Sequence, residues 1–428
     1  MANTGDKVKV ILKDNKEHEG ILMPRPEGFD ECVSIKLKTG YNIGIKKNTI
    51  KKIELVEKYA APNIKKTKLE QNKDLPNVTV LSTGGTISSK IDYRTGGVYA
   101  DYTAEDFVQM CPELQTIANI KAKKVMSVMS EDMIPDDWKK LAKEIHKELQ
   151  TNAAGVVVTM GTDTLHYCTA IMSFMLGKIT KPVVFTASQR SIDRGSSDAF
   201  MNLICAVKAA AQWDGAEVVT CLHGTTDDEY CFLIRGTKVR KMHTSRRDAF
   251  RPMNMPALAK VYVDKPIEIV FNEYNKRHEG RFSLSATFEE KVALITVYPN
   301  MDPEIINFYL EKGYKGIVIA ATALGHVPTW TKNSLIPFIK KASEKKVAVV
   351  ICSQTLYGSV HPYVYTNLRK VSLEAQGIFV GDMLPEVAYV KLGWVLSQTK
   401  SYDKVKQMML ENIAGEISER SGVDCFLE

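Results

Sequence analysis

Two threonine-bearing loops hold the residue types best suited to chemistry. The apolar run Val78 to Leu81 leads straight into Ser82-Thr83-Gly84-Gly85-Thr86-Ile87, and Gly155 to Thr159 leads into Met160-Gly161-Thr162-Asp163-Thr164. Runs of this kind read as strands buried on both faces of a parallel sheet. Ligands of such sheets bind beyond the carboxyl ends of the strands. The paired glycines let the backbone turn sharply and let a substrate lie against main-chain NH groups, leaving Thr86 at the rim in a good seat for a nucleophile. The second loop sets a hydroxyl beside a carboxylate at the start of a helix, whose positively polarised end can hold the anionic part of an amino acid. Each loop alone also has an ordinary reading, a tight turn with a capping threonine or a helix start. Neither G-x-x-x-x-G-K-[ST] nor G-x-G-x-x-G occurs at the glycine turn, which disfavours a nucleotide.

The elements that must position these loops form an alternating pattern. Val183 to Thr186 and Val218 to Leu222 are further apolar runs of strand length. Helices are expected from Pro135 to Leu149, with Trp138, Leu141, Ile145 and Leu149 on one stripe, and from Asp198, with Phe200, Leu203, Ile204 and Val207 on one face. This is the grammar of a parallel α/β domain, here residues 77–280. After a polar stretch around Asn272 to Gly280 the pattern resumes, with strands at Val292 to Tyr298, Gly316 to Ala321 and Val347 to Ser353, so a smaller C-terminal α/β domain is expected over 281–428. The front of the chain differs. Five short β-rich runs separated by turn signals predict an SH3-like or Sm-like β-barrel over 1–56, a fold that commonly serves as an interaction module. Residues 57–76 read as a linker.

With 44% hydrophobic and 25% charged residues and no long apolar run, the 428-residue chain has the composition of a soluble protein. Its N-terminus lacks the basic and apolar stretches of a secretory signal, so a cytoplasmic location with no membrane contact is expected. Cys168, Cys205 and Cys352 fall in apolar runs, as reduced core residues would, and no structural metal is expected. His166, His223, His243, His326 and His361 show no metal-ligand spacing. The net charge is +7, and residues 1–76 hold sixteen Lys and Arg against eleven Asp and Glu. That modest excess is no strong nucleic-acid footprint. The basic run Lys238, Arg240, Lys241, Arg246, Arg247 and Arg251 reads by charge alone as a solvated face.

Thr-Gly-Gly-Thr-Ile at 83–87 together with Gly-Thr-Asp-Thr at 161–164 resembles the two signature loops of the asparaginase/glutaminase family. Ser130-Glu131-Asp132-Met133 resembles that family's substrate-carboxylate loop, and Lys241 in Arg240-Lys241-Met242-His243 fills its lysine position. The resemblance implies a Thr86 nucleophile and a Thr162, Lys241 and Asp163 relay in which a neutral lysine draws a proton from a threonine. Either hydroxyl could be armed first, and Thr86 is taken as the one that attacks. Backbone NH groups near Thr162 and a bound water would stabilise the oxyanion, on the order of 3 kcal/mol per donor. Substrate binding falls to Ser130, Glu131 and a loop tyrosine, Tyr99 or Tyr93, with Tyr99 favoured by its distance from Thr86. Glu131 departs from the glutamine common in free-standing asparaginases, and a carboxylate there favours an ammonium group.

An N-terminal barrel ahead of such a body, with Arg240 to Phe250 as they stand, resembles the D subunits of archaeal tRNA-dependent amidotransferases over essentially the full length. That resemblance implies a glutaminase component of a carbon–nitrogen ligase with glutamine as amido donor, supplying ammonia for conversion of Glu-tRNA(Gln) to Gln-tRNA(Gln). It implies a partner, the amidotransferase E subunit, that uses ATP and Mg and makes most contacts to the tRNA, no cofactor on this chain, and a homodimer within a heterotetramer. A free-standing L-asparaginase and a non-catalytic scaffold binding an amino acid or a partner are the alternatives.

Overall fold

The computed structural model describes residues 2–23, 31–39, 42–58, 72–84, 89–91, 98–100, 111–190, 192, 196–420 and 422–426. The front of the chain forms β1 (Lys7–Leu12), β2 (Glu17–Leu22), β3 (Cys32–Leu37), β4 (Asn42–Lys46) and β5 (Ile50–Glu57), an antiparallel sheet in the order β4-β3-β2-β1-β5. Val8, Val10, Val33, Ile35 and Ile45 form its small separate core. Alternate residues of a strand share a face, so Val8 and Val10 enter that core together. Within the stretch read as a linker, residues 59–71 lie outside the described residues. Its end is fixed: Asn119 donates from Nδ2 to the carbonyls of Asn72 and Leu75 at 2.8 and 2.9 Å.

The central body follows with β6 (Asn77–Ser82), a ribbon of β7 (Ser89–Ile91) and β8 (Val98–Ala100), then β9 (Asn119–Lys124), β10 (Ala153–Thr159), β11 (Val183–Thr186), β12 (Val218–His223) and β13 (Cys231–Arg235). A second ribbon, β14 (Val239–Lys241) with β15 (Phe250–Pro252), precedes β16 (Ala259–Val261) and β17 (Glu268–Ile269). The large sheet runs β17-β16-β13-β12-β11-β10-β6-β9. It is parallel from β9 to β12 and antiparallel from β12 outward, whereas the apolar runs alone predicted a parallel sheet. The connection from β12 to β13, residues 224–230, is too short for a crossover, and only an antiparallel return fits.

The second α/β unit is a parallel sheet in the order β18 (Val292–Thr296), β19 (Gly316–Ala321), β20 (Ala348–Ser353) and β21 (Ile378–Phe379). Its helix Pro385–Gln398 packs on the helix Leu165–Leu176 of the central body. Val156, Val158, Phe174, Val318, Val350, Val387 and Val390 therefore share one apolar layer that joins the two sheets. Helix Ala199–Gln212 covers the far face of the first sheet, and helices Glu304–Glu311 and Ile336–Glu344 cover the far face of the second. No helix among the described residues is long and apolar enough to cross a membrane.

Candidate active site

The parallel pairing of three strands creates the site. Ser82 lies opposite Thr159 on one side and Lys124 on the other, so β6, β10 and β9 end at the same level and their loops emerge side by side. Backbone bonds then stitch the loops together: Thr83 N donates to the Thr159 carbonyl at 3.0 Å, and Val128 N donates to the Thr83 carbonyl at 2.9 Å. Glycine is required at two of these crossings. Gly84 has φ +115°, and a Cβ there would stand 2.8 Å from the Val128 carbonyl oxygen. At Gly161 a Cβ would stand 2.7 Å from Ser130 Oγ.

That close approach seats Ser130 under the second loop. Its buried Oγ accepts from Asp163 N at 3.2 Å, and Thr164 Oγ1 donates to its carbonyl at 2.6 Å. Sequence reasoning gave Thr164 no role, because its task is to hold another loop rather than to meet substrate. Glu131 is exposed beside Ser130, open to a ligand.

Across from these loops, β14 delivers Lys241. Its Nζ donates to Thr162 Oγ1 at 2.8 Å and lies 2.7 Å from Asp163 Oδ1. The lysine side chain is 12% exposed, while that of Asp163 is 61% exposed. A hydroxyl and an amine at this separation can pass a proton directly, and the carboxylate fixes the direction of the amine. The residues brought together are thus Ser130, Glu131, Thr162, Asp163 and Lys241. Thr86 and Tyr93 lie outside the described residues, and Tyr99 is placed only by its backbone, opposite Lys90 in the β7-β8 ribbon.

Beneath the loop, His166 is buried in the first turn of helix Leu165–Leu176. Burial pushes its pKa down to about 3, and the Arg240 and Lys241 side chains add to that. It is neutral across the working range of pH.

Comparison with known proteins extends the match well beyond the site. Residues 77–275 match the family "Asparaginase, N-terminal", 291–409 match "Glutaminase/Asparaginase C-terminal domain", and 2–56 match "GatD N-terminal domain". The glutamyl-tRNA(Gln) amidotransferase D subunit of Thermococcus kodakarensis is 49% identical over 99% of this chain and 96% of that protein. Its counterpart in Pyrococcus furiosus is 50% identical over 99% and 97%. The chain belongs to the D-subunit family of glutamyl-tRNA(Gln) amidotransferases. Among solved structures, the thermostable L-asparaginase from Thermococcus kodakarensis matches with TM-score 0.72 at 28% identity, over 80% of this chain and 100% of that one. L-asparaginase I from Vibrio cholerae matches with TM-score 0.70, also at 28% identity, over 80% and 99%.

In this member of the D-subunit family the basic run that read as a solvated face is largely paired. Lys238 meets Asp382, Arg240 meets Glu386, Arg246 and Arg251 both meet Asp248, and Arg247 meets Asp228. Arg246 holds the Asp248 carboxyl below its ordinary range. The partners are far away in sequence for the first two, so charge counting along the chain had no means of finding them.

Proposed function

We propose that the chain is the glutamine-hydrolysing component of a tRNA-dependent amidotransferase, releasing ammonia for the amidation of Glu-tRNA(Gln). The observation that carries this reading is the contact of Lys241 Nζ with Thr162 Oγ1 and Asp163 at the carboxyl ends of the strands, beside the Ser130 loop that is bonded to Asp163 N.

In the proposed reaction Thr86 Oγ attacks the side-chain amide carbon of glutamine and forms a tetrahedral intermediate. An alcohol is a poor nucleophile without a base, and deprotonated Lys241, acting through Thr162, supplies one. The intermediate collapses as the C–N bond breaks, the nitrogen takes up the proton and ammonia leaves. Water then cleaves the Thr86 ester, giving glutamate and the free hydroxyl. Backbone NH groups beside Thr162 steady the oxyanion, and Ser130 with Glu131 holds the α-carboxylate and α-ammonium ends, with Tyr99 or Tyr93 closing over them.

The remaining parts of the reading concern assembly. The chain works in the cytoplasm as a homodimer within a heterotetramer, and its partner, the E subunit, uses ATP and Mg and holds most of the Glu-tRNA(Gln). Residues 1–56 serve as an interaction module, tethered through 57–76 to a catalytic domain at 77–280 and a smaller domain at 281–428. An electrophilic diazoketone analogue of glutamine tests the nucleophile. Peptide mass spectrometry should find the adduct on Thr86; an adduct on Thr162 reverses the order of the two threonines.

A further inference from the structure

The second α/β unit reaches the strand that carries Lys241 through two ion pairs, each made by a buried carboxylate, and we infer that Asp382 and Glu386 are positioning residues that set the register of Lys241. This inference rests on the proposed role of Lys241. Among the described residues, strand β14 pairs only with β15 in a two-stranded ribbon and is no part of the large sheet, so no long ladder fixes its place. Side chains alternate along an extended strand. Lys238 and Arg240 accordingly turn toward the second unit, while Val239 enters the shared core and Lys241 meets Thr162.

The two grips differ in detail and converge on β14 and the residue just before it. Lys238 Nζ lies 2.6 Å from Asp382 Oδ2, with side-chain exposures of 1% and 3%, and Asp382 Oδ1 accepts from Ser418 N at 2.8 Å. Arg240 binds the carboxylate of Glu386, which is 1% exposed in the first turn of helix Pro385–Gln398. That helix packs on the one that begins just after Thr162, so both ends of the Lys241–Thr162 contact are referred to a single element. Glu386 Oε1 has no hydrogen-bond partner among the described residues, and burial raises its pKa, with Arg240 opposing that rise. Such a group contributes little net stability, since desolvation offsets the attraction, and its value lies in fixing geometry. Displacement of a catalytic group by about 1 Å can cost on the order of 100-fold in rate.

The test is Glu386→Gln and Asp382→Asn, each in the full chain assembled with its partner and substrate tRNA. Amide hydrolysis is read as kcat and KM beside thermal unfolding. Glu148→Gln serves as the control, because Glu148 is a buried carboxylate whose partner Lys121 belongs to β9 and not to β14. We expect kcat to fall by about 10- to 100-fold in each β14-gripping variant, with KM within about twofold of wild type. The control is expected to melt lower with kcat unchanged. If Glu386→Gln does not fold, Asp382→Asn and the gentler Arg240→Lys, which keeps the cation and changes its shape, decide the matter. An active wild type whose folded variants keep full kcat overturns the positioning role alone. An inactive wild type overturns the amidohydrolase reading and this role with it.

Discussion

Lys241 is the residue through which the other site groups acquire a purpose, because its amine contacts the Thr162 hydroxyl at the strand ends. Lys241→Ala should lower ammonia release by about 10²- to 10⁴-fold, the usual worth of a positioned base. Lys241→Arg should not restore it, since a guanidinium keeps its proton. A variant within threefold of wild type in a coupled glutamate assay would remove the relay. His166 yields a separate prediction about pH. Its folded pKa of about 3 lies below the ordinary 6.5, so the unfolded chain binds the extra proton first and stability falls as pH drops below 6.5. At pH 5 the loss from this group is about 2 kcal/mol relative to neutral pH. His166→Gln should flatten the dependence of melting temperature on pH between 6.5 and 5, and an unchanged slope would contradict the assignment.

At the scale of elements, the glycine crossings govern whether the loops can meet. Gly161→Ala would force Ser130 Oγ aside and break its bond from Asp163 N, so substrate binding should weaken while the fold persists. Gly84→Ala faces both a left-handed φ and a backbone carbonyl at 2.8 Å, and should cost about 1–3 kcal/mol in unfolding measurements. Strands were readable from sequence where they are unbroken apolar runs; Val183–Thr186 and Gly316–Ala321 are found where their residues place them. Helix Pro135–Leu149 was equally legible from its single apolar stripe. Helices Leu165–Leu176 and Pro385–Gln398 offered no such stripe, because they lie between two sheets and are apolar nearly all round. Ribbon β14-β15 was hidden for the opposite reason, being short and charged, with its grip supplied from residues more than a hundred positions away.

For the whole molecule, the arrangement is a small β module with its own core in front of two α/β units that share one apolar layer. A chain beginning at residue 72 should therefore unfold cooperatively and retain basal amide hydrolysis, checked by calorimetry and an ammonia assay. Loss of the basal rate would mean that the module helps to build the site. The shared layer also explains why the units are not interchangeable parts, since Phe174 stacks on Trp394 at 5.9 Å between ring centres across it. Membership in the D-subunit family gives the front module a context that an asparaginase-like body does not need, and on our reading that context is the partner. The most direct measurement is ammonia release from glutamine and from asparagine, by the chain alone and with the E subunit and Glu-tRNA(Gln). Glutamine turnover that rises strongly when both are added is the predicted result. Turnover indifferent to them, with asparagine preferred, would contradict it.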